Sequence, residues 1–368
     1  MIRRLSETSR PDQTVVCRRA STVGRNRVVL LAVAMVGSLL IAEAIAQCWT
    51  TSARPIGSVV GEPYPASASD DLPFTLPTDW EFLHERVAMR TLYRTNNAGF
   101  RDDRPLAIPK PDNQRRILVL GDSFVLGWGV AQGETFVRVA EASLNDVAPT
   151  RLLNGGYRAG YTLDHYLLFL RREADRLSVD EVVVAIYTGN DLEDMRENRW
   201  MGMDEDGLPT RIETRRPYVD FTGRFIDSRH NDVSLPLGLE RLALPRLVTR
   251  ALWRTPRDWP KLSEEKAAER LRRVIREIDD FCRARACPLG WILIDSQEPT
   301  ERSTRSRTVC REALRDPNAL WLETESLFER SGLRADEFFI PGDGHFTPAA
   351  HRLVGEELAK LLSSPASR

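Results

Sequence analysis

Apolar and polar positions along this chain follow three distinct patterns, and the changes between them mark its parts. Val28 to Ala46 is a nineteen-residue run broken only by Gly37, Ser38 and Glu43. As a helix it would span roughly 28 Å, close to the hydrocarbon core of a bilayer. Residues 50–78 then lose all periodicity and are rich in Pro, Ser, Ala and Gly. Such composition predicts a tether, which we set at 47–95. Further on, short apolar runs alternate with stretches of helical period. Ile117–Leu120, Arg151–Leu153, Glu181–Tyr187, Gly290–Asp295 and Ala319–Leu322 read as buried strands.

The intervening stretches carry apolar residues three and four apart. Phe136, Val137, Ala140 and Leu144 share one face, Leu163, Tyr166, Leu167 and Leu170 another, and Leu271, Val274, Ile275 and Ile278 a third. Ser263 before the third helix reads as its N-cap, and Thr347-Pro348 opens a last helix reaching about Leu362. Strand–helix–strand repetition implies right-handed crossovers and a parallel sheet. The expectation is a flavodoxin-like three-layer α/β/α domain of about five parallel strands over 96–368, preceded by one transmembrane helix. Residues 192–260 break the rhythm with Trp200, Met201, Met203, Trp253, Trp259, several prolines and many arginines. An insertion of that length, leaving the sheet just after Asn190, is expected to form a lid or platform over the carboxyl edge.

Charge orients the apolar run. Residues 1–27 hold seven arginines against Glu7 and Asp12. Positive charge before a span keeps the amino terminus in the cytoplasm and sends the rest outside. Residues 1–27 are therefore expected as a cytoplasmic tail and 28–46 as an anchor in the cytoplasmic membrane. The rival is a signal peptide cleaved at the small-x-small site Ala44-Ile45-Ala46, which would release a secreted protein. Over the whole chain the net charge is −1, which argues against a general nucleic-acid binder. Cys17, Cys48, Cys282, Cys287 and Cys310 have no paired CxxC spacing, so no metal site is implied. Free buried thiols and a disulfide among the last three both remain open.

Candidate chemistry gathers where the strands end. Gly121-Asp122-Ser123 follows the first strand, Asn154-Gly155-Gly156 and Gly160 the second, and Gly189-Asn190-Asp191 the third. In a parallel sheet all three lie on the carboxyl edge, where open α/β folds bind ligands. Gly342-Asp343-Gly344-His345 precedes the last helix. A serine hydroxyl needs a base to become a nucleophile, and His345 is the candidate, with Asp343 to fix its tautomer. A developing oxyanion needs fixed donors. The Ser123 N–H, a glycine N–H and the Asn190 amide are the candidates. His351 reads as part of the last helix, on its surface or in its packing. Each piece alone reads equally as a turn or cap; their order at successive strand ends is what points to chemistry.

In these blocks the chain resembles the SGNH, or GDSL, hydrolases. Gly121-Asp122-Ser123 matches the nucleophile block, Gly189-Asn190-Asp191 the asparagine block and Asp343-Gly344-His345 the histidine block. The single residue between Asp343 and His345 is similar to the Asp-x-His of alginate-type O-acetyltransferases. Asn97-x-Gly99-Phe100-Arg101-Asp102 and Gly127-Trp128-Gly129-Val130 resemble a membrane-anchored branch. The glycine block departs most, with three residues between Gly156 and Gly160. The resemblance implies Gly160 as the oxyanion glycine, with Gly156 as the alternative. It also implies a serine esterase without cofactor, acting on an acyl ester, acetyl among the candidates, of an envelope polysaccharide or lipid. An O-acyltransferase is the alternative, and a non-catalytic glycan-binding envelope protein is the reading from another class.

Overall fold

The apolar runs assemble into one five-stranded parallel sheet. The computed structural model describes residues 22–52, 72, 75–86, 89–157, 161–214, 218–219, 225–226, 260–314 and 320–363. After helix α1 (Thr22–Ser52) come β1 (Glu81–Arg86), β2 (Met89–Arg94), β3 (Arg115–Gly121), α2 (Ser123–Leu126), α3 (Phe136–Asn145), β4 (Thr150–Gly156), α4 (Leu163–Leu177), β5 (Glu181–Tyr187) and α5 (Asp191–Glu197). Four strands of the insertion follow: β6 (Asn198–Met203), β7 (Pro209–Thr214), β8 (Tyr218–Val219) and β9 (Phe225–Ile226). The chain closes with α6 (Glu264–Ala284), β10 (Leu289–Ile294), α7 (Glu301–Ala313), β11 (Leu320–Glu323), α8 (Thr324–Ser331), α9 (Ala335–Phe338) and α10 (Pro348–Ser363).

The sheet order is β11-β10-β5-β3-β4, with every neighbouring pair parallel. The chain goes from β3 outward to β4 and then crosses back to β5. The order therefore reverses between β3 and β5, which makes the carboxyl end of that pair the switch point. The strands are apolar on both faces because helices cover both. Leu118, Leu120, Val182, Val184 and Leu293 pack with Leu167, Leu271 and Val309 of α4, α6 and α7. Ile117, Val119, Val183, Ala185 and Ile292 point the other way, toward Phe136, Phe328 and Val354 of α3, α8 and α10. Burying each such side chain contributes about 1.5–3 kcal/mol, and this fixes the strand register. The flavodoxin-like order and three layers agree with the fold expected from the sequence.

The amino-terminal boundary needs correction. The expected tether over 47–95 contains an antiparallel hairpin, β1 with β2, in register from Glu81–Arg94 to Arg86–Met89. Leu72, Leu76, Trp80 and Tyr93 are buried in the core, and the Thr95 hydroxyl donates to the Pro77 carbonyl at 2.7 Å. The folded domain thus includes Leu72 rather than beginning at residue 96. These apolar residues dock one at a time on tertiary contacts, so no periodicity announces them.

Of the insertion expected as a lid or platform over 192–260, residues 215–217, 220–224 and 227–259 lie outside the described residues. Its hairpin β6–β7 lies against α4 and α6, with Leu208 and Ile212 buried and Arg171 paired to Asp204 at 2.9 Å. Arg270 of α6 stacks over the Trp200 ring at 4.2 Å. Trp253 and Trp259 lie outside the described residues. Within α1, Val29–Ala46 has a mean hydropathy of 2.4 and is long and apolar enough to cross a membrane.

Candidate active site

Ser123 owes its position to a glycine and a cap. A Cβ on Gly121 would lie 2.2 Å from the Val125 side chain, so only glycine lets α2 fold back this tightly on β3. Asp122 caps α2, its Oδ1 accepting the Phe124 N–H at 3.0 Å. The hydroxyl of Ser123 is thereby fixed at the carboxyl end of β3, beside the switch point.

His345 comes from the loop before α10. Gly342 and Gly344 both hold positive φ, at 72° and 84°, which lets the loop double back within a few residues. The His345 carbonyl accepts from the Ile340 N–H at 2.7 Å, and the Thr347 N–H donates to the Phe338 carbonyl at 2.9 Å. Inside this bend His345 Nδ1 lies 2.5 Å from Asp343 Oδ1, and His345 Nε2 lies 2.8 Å from Ser123 Oγ. The imidazole is also walled by aromatic rings, Phe124 at 4.9 Å and Trp128 at 5.9 Å between centroids. One nitrogen faces a carboxylate and the other a hydroxyl. With Nδ1 protonated, Nε2 is free to take a proton from Ser123.

Two buried carboxyls underlie this edge. Burial pushes the Asp122 carboxyl up to about 6, against the Phe124 N–H and the His345 charge, which favour ionisation. Asp191 is raised well above the carboxylate range, by burial and then by the Asp122 charge. Its Oδ2 accepts the Tyr187 N–H at 2.9 Å. Asp122 Oδ2 and Asp191 Oδ1 are buried with no hydrogen-bond partner among the described residues. A proton on one of the two carboxyls relieves their repulsion.

The oxyanion candidates fare differently. Asn190 lies at the start of α5, and its Nδ2 donates to Asp194 Oδ2 at 2.9 Å, which leaves a second N–H on the same nitrogen. Gly160 lies outside the described residues. Gly156, the alternative, gives its N–H to Asn154 Oδ1 at 3.1 Å. A Cβ on Gly156 would sit 2.0 Å from the Leu126 backbone nitrogen. Its part is close packing of β4 against α2, and its N–H is already engaged. His351 is packed: it stacks on Phe136, and its Nδ1 accepts the Phe136 N–H at 3.2 Å. No group of three or more metal-ligating side chains occurs among the described residues.

Arg101 has a part in the site that its sequence context does not assign. It is fully buried and donates to the carbonyls of Leu126 and Val130, each at 2.6 Å, and of Gly127 at 2.5 Å. It holds the turn that carries Trp128. The signal is present in Asn97-x-Gly99-Phe100-Arg101, where a charged residue follows an aromatic in a turn. Nothing in that spacing says the charge is buried.

No family model matches the chain, and no curated protein does. Among solved structures it is similar to a catalytic mutant of an acetylxylan esterase from Geobacillus stearothermophilus, with 15% identity, 69% of this chain and 96% of that one covered, and a TM-score of 0.39. It is also similar to the psychrotrophic esterase EstA from Pseudoalteromonas sp., with 13% identity, 68% and 97% covered, and a TM-score of 0.38. A third is a member of the lipolytic protein G-D-S-L family from Veillonella parvula, with 11% identity, 67% and 97% covered, and a TM-score of 0.36. Likeness at this level says nothing of substrate.

Proposed function

We propose that this chain is a serine esterase of the SGNH type, with Ser123 as nucleophile, His345 as general base and acid, and Asp343 as the group that orients it. The observation that carries the reading is the continuous chain Asp343 Oδ1–His345 Nδ1 at 2.5 Å and His345 Nε2–Ser123 Oγ at 2.8 Å. In the first step Ser123 Oγ attacks the ester carbonyl while its proton passes to His345 Nε2. Asp343 stabilises the imidazolium. The carbonyl oxygen becomes an oxyanion, for which the Ser123 N–H, the Asn190 amide and the Gly160 N–H are the proposed donors. Collapse returns the proton from His345 to the leaving alcohol and leaves an acyl-serine. Water or a sugar hydroxyl, deprotonated by the same imidazole, then releases the acyl group.

The proposed substrate is a short acyl ester on an envelope glycan or lipid. The single-residue Asp343-x-His345 spacing favours transfer to a sugar hydroxyl as the second reading. A non-catalytic glycan binder would have no use for a bonded Ser–His–Asp chain. The proposed location is the outer face of the cytoplasmic membrane, with α1 as anchor. Two measurements test this. A fluorophosphonate probe on the purified chain should label Ser123 and leave Ser123→Ala unlabelled; an unlabelled wild-type protein would remove the esterase reading. External protease should reach the domain in cells, and mature protein starting at Gln47 would replace the anchor by a cleaved signal.

A further inference from the structure

Helix α6 ends in a reverse turn whose two hydrogen bonds define its geometry. The Cys287 N–H donates to the Cys282 carbonyl at 2.9 Å, and the Ala286 N–H donates to the Arg283 carbonyl at 3.1 Å. Ala286 sits in the left-handed region, with φ at 50°. This six-to-one and five-to-two pair is the Schellman arrangement, in which the side chain after the left-handed residue folds back onto the one that opens the turn. Those two positions usually hold apolar residues in contact. Here both are cysteines. Cys282 is buried in the core, and Cys287 is half-buried and packed against the same core, both as free thiols. Cys310 is buried on α7. Ala286 carries a Cβ where glycine is normal, so this turn is held against some backbone strain.

We infer that Cys282 and Cys287 are an oxidisable pair that closes to a disulfide outside the cytoplasm, stapling the end of α6 to the start of β10. The turn's two hydrogen bonds draw the Cys282 and Cys287 backbones together, the approach that a disulfide between them needs. The oxidant is a protein or small-molecule disulfide. The Cys287 thiolate attacks one of its sulfurs and releases a thiolate. The Cys282 thiolate then attacks Cys287 Sγ and expels the second. Two thiols lose two protons and two electrons, and the oxidant becomes two thiols. Cys287 goes first because it is the more accessible. The pair lies at the amino edge of the sheet, two residues before β10, so the staple serves stability and leaves the carboxyl edge untouched. That the bond forms in the cell rests on the outward-facing reading above; that these two cysteines form it does not.

The test separates the two. Purified full-length chain is incubated with oxidised glutathione, alkylated without reduction and digested with trypsin. Arg283 and Arg285 lie inside the loop, so trypsin opens it and only a disulfide holds the two fragments together. The expected result is a linked pair of fragments carrying Cys282 and Cys287, released by dithiothreitol, with Cys310 in a separate fragment. Reduction should also lower Tm by roughly 5 °C, an effect absent from Cys282→Ser and from Cys287→Ser. Esterase activity should be the same in both redox states. Two alkylated thiols at 282 and 287 after oxidation, or a link to Cys310 instead, would overturn the assignment. The same digestion on protein taken from cell membranes under alkylation should give the linked pair. Reduced cysteines there, beside oxidation in vitro, would overturn the cellular half of the inference.

Discussion

The Arg101 guanidinium lies 4.1 Å from the centre of the Tyr93 ring, and the two residues together hold the turn behind Ser123. Arg101 takes the carbonyls of Leu126, Gly127 and Val130, while the Tyr93 hydroxyl accepts the Gly129 N–H at 2.9 Å. Burial lowers the Arg101 pKa to about 10, against the raising effects of Tyr93 and Glu134, so it stays cationic at neutral pH. Trp128, between these anchors, flanks the His345 ring. The β1–β2 hairpin, through Tyr93, therefore supports the proposed base from behind.

Arg101→Lys should keep the charge and lose the three-way grip, because one ammonium cannot match the planar fork. We expect kcat to fall by about 10- to 100-fold with KM little changed, since a misplaced base harms the chemical step more than binding. Arg101→Ala should in addition destabilise the fold by about 3 kcal/mol, read from urea unfolding. Unchanged kcat in a folded Arg101→Lys would show that the turn does not position His345.

Within the proposed unit, losses should not add. Ser123→Ala and His345→Ala should each remove at least about 10⁴-fold in kcat, and the double variant should lose little more. Asp343→Asn should lose less, because it acts through His345. Single-turnover measurements with a chromogenic acetyl ester would decide; additive losses would mean the three do not work together.

Much of this arrangement is legible in the amino-acid sequence. Ile117–Leu120 and Val182–Ile186 are apolar on both faces, and a parallel sheet covered on both sides accommodates that. Ser123, Asn190 and His345 follow because each closes or opens an element on one edge. The rest is hidden for physical reasons. Gly156 and Gly160 stand equally well in the sequence after the second strand, and it takes the structure to show the Asn154 side chain, reaching two residues ahead, engaging the Gly156 N–H. Leu72, Leu76 and Trp80 bury without periodicity. Arg101 looks like surface charge until the carbonyls it meets are seen.

Stability should depend on pH with opposite signs at buried His351 and at the buried carboxyls, of which Asp122 can be followed by substitution. His351 is held down to about 3, chiefly by burial, and then by the charges of Arg101 and His345. Below its ordinary value of 6.5 the unfolded chain takes a proton that the folded chain refuses. Stability is therefore lost as pH falls from about 6.5 toward 3, by up to about 1.4 kcal/mol per unit. His351→Gln should flatten that limb. Asp122, raised to about 6, takes its proton more readily when folded. Its contribution is largest below about 3.8 and is lost as pH rises toward 6, so Asp122→Asn should make this second slope shallower, with the remainder coming from Asp191. Urea midpoints measured from about pH 3 to 8 would show both; a single shared slope in both variants would contradict the assignment.

The proposed oxyanion donors give the sharpest comparison. Gly156 cannot carry a side chain, because its Cβ would strike the backbone of α2 at Leu126. Gly156→Ala should thus push α2 and Ser123 away together, lowering both Tm and kcat. Asn190 is different: it is only partly buried at the start of α5, and its carboxamide reaches Asp194 from the edge of the sheet. Asn190→Ala should leave Tm within a few degrees and cost about 10²–10³-fold in kcat, the usual loss for one oxyanion donor. Asn190→Asp should do at least as badly, because it sets an acceptor where a donor is needed and adds charge beside Asp194. KM should barely move in either, since the bond strengthens only as the carbonyl oxygen becomes negative. An Asn190→Ala enzyme with wild-type kcat would remove Asn190 from the oxyanion hole and leave the Ser123 and Gly160 N–H groups to hold the charge.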